Sequence, residues 1–248
     1  MKKLTYILLI FTLIACDSEN ANDCFQTAGT TIQEFREVPE FSRILVNRDI
    51  TLIVEEADEY AVLIETGSNL LNDVMALVVN DQLILTDDNT CNFVRDFGIT
   101  KITVFTPTLT EIRTSTQYET TSNGILNFEN LTLISESFNM PGTFTMGDFR
   151  LSVASNNIDI VANGLSSFYL DGSVNNLRVR FFAGAGRFEG RNLIAQNVNI
   201  FHRGGNDMIV NPQQSIIGQI VSTGDVIAIN QPPNVEVEVL FTGQLIFN

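Results

Sequence analysis

The chain has 248 residues, is 44% hydrophobic by composition and carries a formal net charge of −15 at pH 7. That length suffices for one sizeable all-β core or two smaller ones. The acidic balance excludes nucleic acid as a partner, because phosphate backbones need a basic footprint, and it excludes attraction to a bare anionic membrane surface.

The first segment, "MKKLTYILLIFTLIAC", places Lys2 and Lys3 before an apolar run from Leu4 to Ala15. The run is too short to span a bilayer as a helix and reads as the core of a signal peptide, residues 1–15. It ends in Leu13-Ile14-Ala15-Cys16, which resembles the lipobox of bacterial lipoproteins. The resemblance implies that Cys16 becomes the first mature residue and carries acyl chains that hold the protein to a membrane. The alternative is an ordinary secretory signal that happens to end in Cys. Loss of Lys2 and Lys3 would leave −15 − 2 = −17, with Lys101 the one remaining lysine. Asp17-Ser18-Glu19-Asn20 opens a polar tether, read as residues 16–34. Beyond Cys16 there remain Cys24 and Cys91. Outside the cytoplasm such a pair reads as a disulfide. A zinc site is the weaker reading, since His202 is the one histidine and lies far along the chain.

From residue 35 onward the sequence predicts an almost wholly β domain, 35–248. Short period-two apolar runs such as "DITLIVEE" (Asp49 to Glu56), "KITVFTP" (Lys101 to Pro107) and "NVEVEVLF" (Asn234 to Phe241) alternate with Gly, Asn, Asp and Pro. One stretch, "NLLNDVMALVV" (Asn69 to Val79), suggests a turn of helix running into a strand. The acidic clusters "EEADE" (Glu55 to Glu59) and "TDDN" (Thr86 to Asn89) read as solvated turns between strands.

In the second half a small-or-Asn residue followed two places later by an apolar one recurs at Gly124, Gly142, Asn156, Gly172, Gly186, Asn206, Gly224 and Gly243. Gly and Asn tolerate a left-handed backbone, so each marks a corner. The spacing suits the coil of a single-stranded β-helix-like solenoid. An antiparallel β-sandwich with short strands is the alternative. Asparagines at 156, 157, 175, 176, 197, 199 and 206 could stack into amide ladders between coils. Phe181, Phe182, Phe201 and Phe241 precede corners and read as core aromatics in preference to a ligand-stacking platform.

Two quoted stretches carry a family resemblance. "FREVPEFSRILVNRDITLIVEEADEYAVLIETGSNLL" and "GDVIAINQPPNVEVEVLFTGQLIF", with the "TGDV" and "TGQL" corners, resemble the "Putative auto-transporter adhesin, head GIN domain" family. The likeness extends from Phe35 to Asn248. It implies a β-helix-like solenoid in a secreted or lipid-anchored protein, and it brings no catalytic residues. Corners such as "SESFNMPG" and "FHRGGND" depart from the family's cleaner Ser-Gly-x-Gly pattern.

For chemistry, a Ser-His-Asp site would need His202, which reads instead as a surface or turn histidine. No catalytic, metal or cofactor residue is assigned. "RGGNDMIV" (Arg203 to Val210) resembles a calcium-binding nonapeptide, but it occurs once and not in tandem. Arg178, Arg180, Arg187, Arg191 and Arg203 form a local reversal of charge, a candidate patch for an acidic glycan. They equally suit neutralising Asp171, Glu189 and Asp207 on adjacent coils. The functional expectation is a non-enzymatic binding or adhesion protein of the bacterial envelope, an outer-membrane lipoprotein facing the periplasm or the cell surface. An envelope structural protein that self-associates through its terminal coil, or binds another envelope protein, is the second reading. A polysaccharide-active β-helix enzyme is the third.

Overall fold

The computed structural model describes residues 23–89 and 91–248. Cys16 and the whole signal-peptide reading lie outside the described residues. Among those described there is no α-helix, only one-turn 3-10 segments at Asp23–Phe25 and Leu71–Asp73. The second of these runs directly into strand Val74–Val79, as "NLLNDVMALVV" suggested. No helix of the described chain is long and apolar enough to cross a membrane.

Among the described residues seventeen strands form one mixed sheet. In chain order they are β1 (Thr31–Glu37), β2 (Arg43–Val46), β3 (Ile50–Glu56), β4 (Ala61–Gly67), β5 (Val74–Val79), β6 (Gln82–Asp87), β7 (Thr100–Thr106), β8 (Glu111–Thr114) and β9 (Thr120–Leu126). There follow β10 (Asn130–Ser135), β11 (Phe149–Ala162), β12 (Phe168–Phe181), β13 (Phe188–His202), β14 (Met208–Ile220), β15 (Val226–Ala228), β16 (Asn234–Val239) and β17 (Leu245–Phe247).

The pairings resolve into two walls. One runs β5, β6, β2, β8, β10, the second halves of β11 to β14, then β16. The other runs β1, β4, β7, β3, β9, the first halves of β11 to β14, then β15 and β17. From β11 onward every pairing is parallel, and each strand's partner lies about one repeat further along the chain. Phe149 pairs with Phe168, Phe168 with Phe188, and Phe188 with Met208. The N-terminal part differs from the expected single-stranded coil. There β1–β4, β4–β7 and β5–β6 pair antiparallel, and β5 and β6 are joined by the short turn Asn80-Asp81. Both turn residues have positive φ, the conformation a tight antiparallel turn requires.

Period-two alternation turns Val, Ile, Leu and Phe inward on both walls. One hydrophobic cluster results, from Phe41 and Ile44 through Ile102, Phe149 and Phe168 to Val226 and Ala228. The walls meet directly where Phe168 and Phe181 lie 5.8 Å apart by ring centroids. Phe149 stacks on Phe168 at 4.7 Å, so identical side chains form an inward column. Each fully buried Leu, Ile or Phe contributes roughly 1.5–3 kcal/mol of transfer free energy.

The corner glycines fall into two groups. Gly124, Gly142 and Gly172 have the expected positive φ, at 86°, 91° and 107°. Gly186, Gly224 and Gly243 do not. They are needed for close approach instead: a Cβ would stand 2.4 Å from the Ser166 carbonyl oxygen, 2.2 Å from that of Asn206 and 2.3 Å from that of Gly224, respectively. The repeated "TG" phrase therefore marks places where one layer's backbone presses against the next.

The N-terminal segment is fastened to this body. Cys24 and Cys91 form a disulfide, closing a 67-residue separation. Order also starts before Phe35, because Thr31 to Glu37 is already strand β1, paired along β4.

Candidate functional site

The wall built on the second halves of β10 to β14 presents an outward face whose columns follow from the register. In the first column Asn130, Asn157, Asn176, Asn197, Ser215 and Asn234 lie in line. The amide of Asn157 donates to Asn130 Oδ1 (2.6 Å), Asn176 to Asn157 Oδ1 (2.9 Å) and Asn197 to Asn176 Oδ1 (3.2 Å). The hydroxyl of Ser215 donates to Asn197 Oδ1 at 2.9 Å. This is the ladder expected from the asparagine spacing, and it begins a layer earlier than the residues singled out. A parallel rung, Asn175 Nδ2 to Asn156 Oδ1, runs beside it at 2.9 Å.

Two residues further along each strand comes a charged column in which Asp159, Arg178 and Asn199 are in register. Two further again, Arg180 is in register with Phe201. Asp159 receives both arginines: Arg178 at 2.7 Å, and Arg180 through two hydrogen bonds at 2.7 and 3.2 Å. Two guanidiniums thus share one carboxylate, which leaves the group cationic. Arg178 keeps 54% of its side-chain surface exposed.

An aromatic row borders this column. Phe182 contacts Phe201 at 5.3 Å and Phe138 at 6.4 Å, and the Arg180 guanidinium lies 6.0 Å from the Phe182 ring. Phe181 is buried as expected, but Phe182 and Phe201 are only partly buried and Phe241 is 61% exposed. The core reading of these three is thereby corrected. The pair "FF" held the signal, because adjacent strand residues face opposite sides. With Phe181 inward, Arg180 and Phe182 had to be outward. Arg203 is exposed, and its backbone N–H donates to Phe181, the residue before Phe182.

Phe138, which the sequence analysis did not single out, is 64% exposed and is positioned by Glu136. That carboxylate is itself 1% exposed. It accepts from Arg113 at 2.8 Å, from the Phe138 backbone at 2.6 Å, and from Asn139 through both backbone and side chain at 3.2 Å. Burial pushes the Glu136 carboxyl up, but the bonds from Arg113, Asn139 and Phe138 outweigh it and hold the group below the usual carboxylate range.

The five arginines do not form one patch. Arg178, Arg180 and Arg203 belong to the face just described. Arg187 lies just before β13 and Arg191 in its first half, on the other wall. There Arg187 pairs with Glu189 (3.1 Å) and Asp207 (3.5 Å), and Arg191 with Glu189 (3.6 Å). For these two the neutralising role holds. The physical reason is the corner at 182–187, between the second half of β12 and the first half of β13, which carries the chain from one wall to the other.

His202 is not at the surface. It is fully buried, with its ring 6.2 Å from Phe181, and Gly204 donates its N–H to Nδ1 at 3.4 Å. Burial lowers its pKa, opposed in part by the Asn206 backbone, Asp207 and Asp225. Among the described residues no group of three or more His, Cys, Asp or Glu is gathered to hold a metal, at "RGGNDMIV" or elsewhere.

Solved structures share this architecture. A putative adhesin from Bacteroides fragilis superposes with a TM-score of 0.79 at 18% identity, covering 90% of this chain and 99% of that one. A putative lipid binding protein from Parabacteroides distasonis gives 0.63 at 13% identity, covering 89% and 97%. A putative adhesin from Parabacteroides merdae gives 0.58 at 16% identity, again covering 89% and 97%. At such identities the likeness concerns the fold. No curated protein matches the sequence. The sequence profile described as "Putative auto-transporter adhesin, head GIN domain" matches residues 40–232, and the chain belongs to that family.

Proposed function

We propose that this protein is a β-solenoid held at the bacterial outer membrane by acyl chains on Cys16, and that it binds an extended acidic glycan without catalysis. The observation that carries the reading is the juxtaposition on one rigid wall of the cationic Arg178–Asp159–Arg180 group, the amide ladder and the Phe182–Phe201 pair. Guanidiniums recognise carboxylates and sulfates with paired hydrogen bonds, amides match hydroxyl groups, and aromatic faces accept the apolar side of a sugar ring. Parallel strands repeat these groups at about 4.8 Å intervals, which suits a polymer better than a small molecule. The test is binding to an acidic polysaccharide at low salt. Arg178→Ala with Arg180→Ala should keep the fold and lose salt-sensitive binding. Absence of any such binding by the wild type refutes the reading.

A second reading, self-association through the last layer, is favoured by one observation. Among the described residues β16 and β17 are paired on one side only, and Val235, Val239, Leu240 and Phe241 stand 38%, 46%, 55% and 61% exposed there. Glu236 and Glu238 oppose it, since like charges on an edge discourage strand addition. A monomeric mass in solution at high protein concentration eliminates it.

A further inference from the structure

Away from the glycan-facing wall, large apolar side chains gather beside the disulfide. Phe25 is 54% exposed, Phe93 74%, Val94 51% and Phe97 74%. Phe25 and Phe93 are in contact, with ring centroids 5.8 Å apart. Phe93, Val94 and Phe97 belong to the connection between β6 and β7, which is fixed by polar bonds and not by burial of its apolar groups. Cys91 is covalently joined to Cys24, and the Phe93 N–H donates to the Cys24 carbonyl at 3.0 Å. Asn92 Oδ1 accepts from the backbones of Val94 and Arg95. The Arg95 guanidinium donates to the carbonyls of Gln26, Asn89 and Cys91. Three rings and a valine are thus held out into water by a scaffold that gains nothing from their exposure. The Phe25–Phe93 pair is contiguous exposed apolar surface, and surface of this kind marks an interaction site.

The position of the cluster says what covers it. Cys16 precedes Cys24 by eight residues (24 − 16 = 8). A fully extended chain of that length reaches at most about 28 Å. An acylated Cys16 would therefore keep the disulfide-stapled loop within that distance of the bilayer. We propose that Phe25, Phe93, Val94 and Phe97 form a second, non-covalent membrane contact, entering the headgroup–acyl boundary of the membrane that holds Cys16. This rests on the lipid-anchor reading above. Aromatic and aliphatic side chains suit that boundary, and pairing a lipid chain with a second membrane signal is the usual way to firm up attachment. Asp87, Asp88 and Asp96 flank the cluster, so the contact favours zwitterionic over anionic headgroups.

The chain contains no Trp, so Phe93→Trp supplies a single fluorescent reporter at an exposed position. The full-length, acylated Phe93→Trp protein is bound to phosphatidylcholine vesicles whose acyl chains carry bromine. The expected result is a blue-shifted emission quenched by the bromines, weakened when phosphatidylglycerol is added. Ile125→Trp, at a site 59% exposed outside the loop, should stay unquenched. Phe93→Trp protein that sediments with the vesicles while its indole remains unquenched overturns the loop contact and leaves the anchor standing. Equal quenching in the Phe93→Trp and Ile125→Trp variants also overturns it. Protein that fails to sediment at all overturns the anchor, and the proposal with it.

Discussion

His202 and Gly224 face each other across adjacent layers: a Cβ built on Gly224 would stand 2.5 Å from His202 Nε2. The same Cβ would lie 2.2 Å from the Asn206 carbonyl oxygen, a backbone atom with little room to yield. Gly224→Ala should therefore destabilise the protein by about 1–3 kcal/mol, the usual cost of overpacking. Urea unfolding of the variant beside the wild type checks this, and an unchanged midpoint contradicts it.

The buried His202 makes stability depend on pH. Its folded pKa lies below its ordinary value of 6.5, so the unfolded chain takes up its proton first. Stability from this residue is intact above pH 6.5 and falls as the pH drops below it, because the unfolded state then binds more protons than the folded one. Thermal melts between pH 7.5 and pH 5.5 should show a falling Tm, where most carboxylates are still ionised. His202→Leu should flatten that slope. Asp207 and Asp225, which oppose the shift, stay in place as an internal control.

Glu136 adds a loss of the same sign at lower pH. Its folded pKa is below the ordinary value of 4.5, so it contributes stability that is present above 4.5 and lost as the pH falls through the folded value. Glu136→Gln leaves Arg113, whose side chain is 12% exposed, without its closest carboxylate. Removing one member of so enclosed a pair costs about 3–5 kcal/mol. Because Glu136 also holds the Phe138 backbone, the substitution should weaken glycan binding as well as lower the Tm.

The sequence exposed the fold's period but not its walls. Asn156-Asn157 and Asn175-Asn176 announced a ladder because equal spacing in a parallel stack puts equal residues in register, a local property visible in the chain. What was hidden depends on three-dimensional bends. Arg178 and Arg187 are nine positions apart and looked like neighbours, yet a corner lies between them. His202 looked exposed because it sits beside Gly204 and Gly205, although strand alternation continues through it from Ile200. Asp159, the partner of both Arg178 and Arg180, could not be chosen over Asp171 until the register was known.

Asn176 sits mid-ladder, donating to Asn157 and accepting from Asn197. Asn176→Ala should cost about 1 kcal/mol, the low end for losing two solvent-exposed hydrogen bonds. Ser215→Asn should recover a comparable amount by extending the amide column toward Asn234. Differential denaturant midpoints measure both, and a stabilised Asn176→Ala variant refutes the ladder's contribution.

Reducing the Cys24–Cys91 bridge, or replacing both cysteines by Ser, should lower stability by up to about 4 kcal/mol on chain-entropy grounds for a loop of 67 residues. Detection of two free thiols in the purified protein contradicts the bond.

The parallel register carries a consequence for how such a chain changes length. Because Asn157 pairs with Asn176 and Ile158 with Leu177, excising residues 157 to 175 would join Asn156 to Asn176 and leave the following residues facing the same columns as those they replaced. A deletion that is not a whole layer, 19 residues from Asn157 to Asn176 and 21 from Asn176 to Asn197, would move the later side chains out of line. Growth and shrinkage are therefore quantised in whole layers, and the wall that carries the amide ladder can be lengthened without redesigning its chemistry.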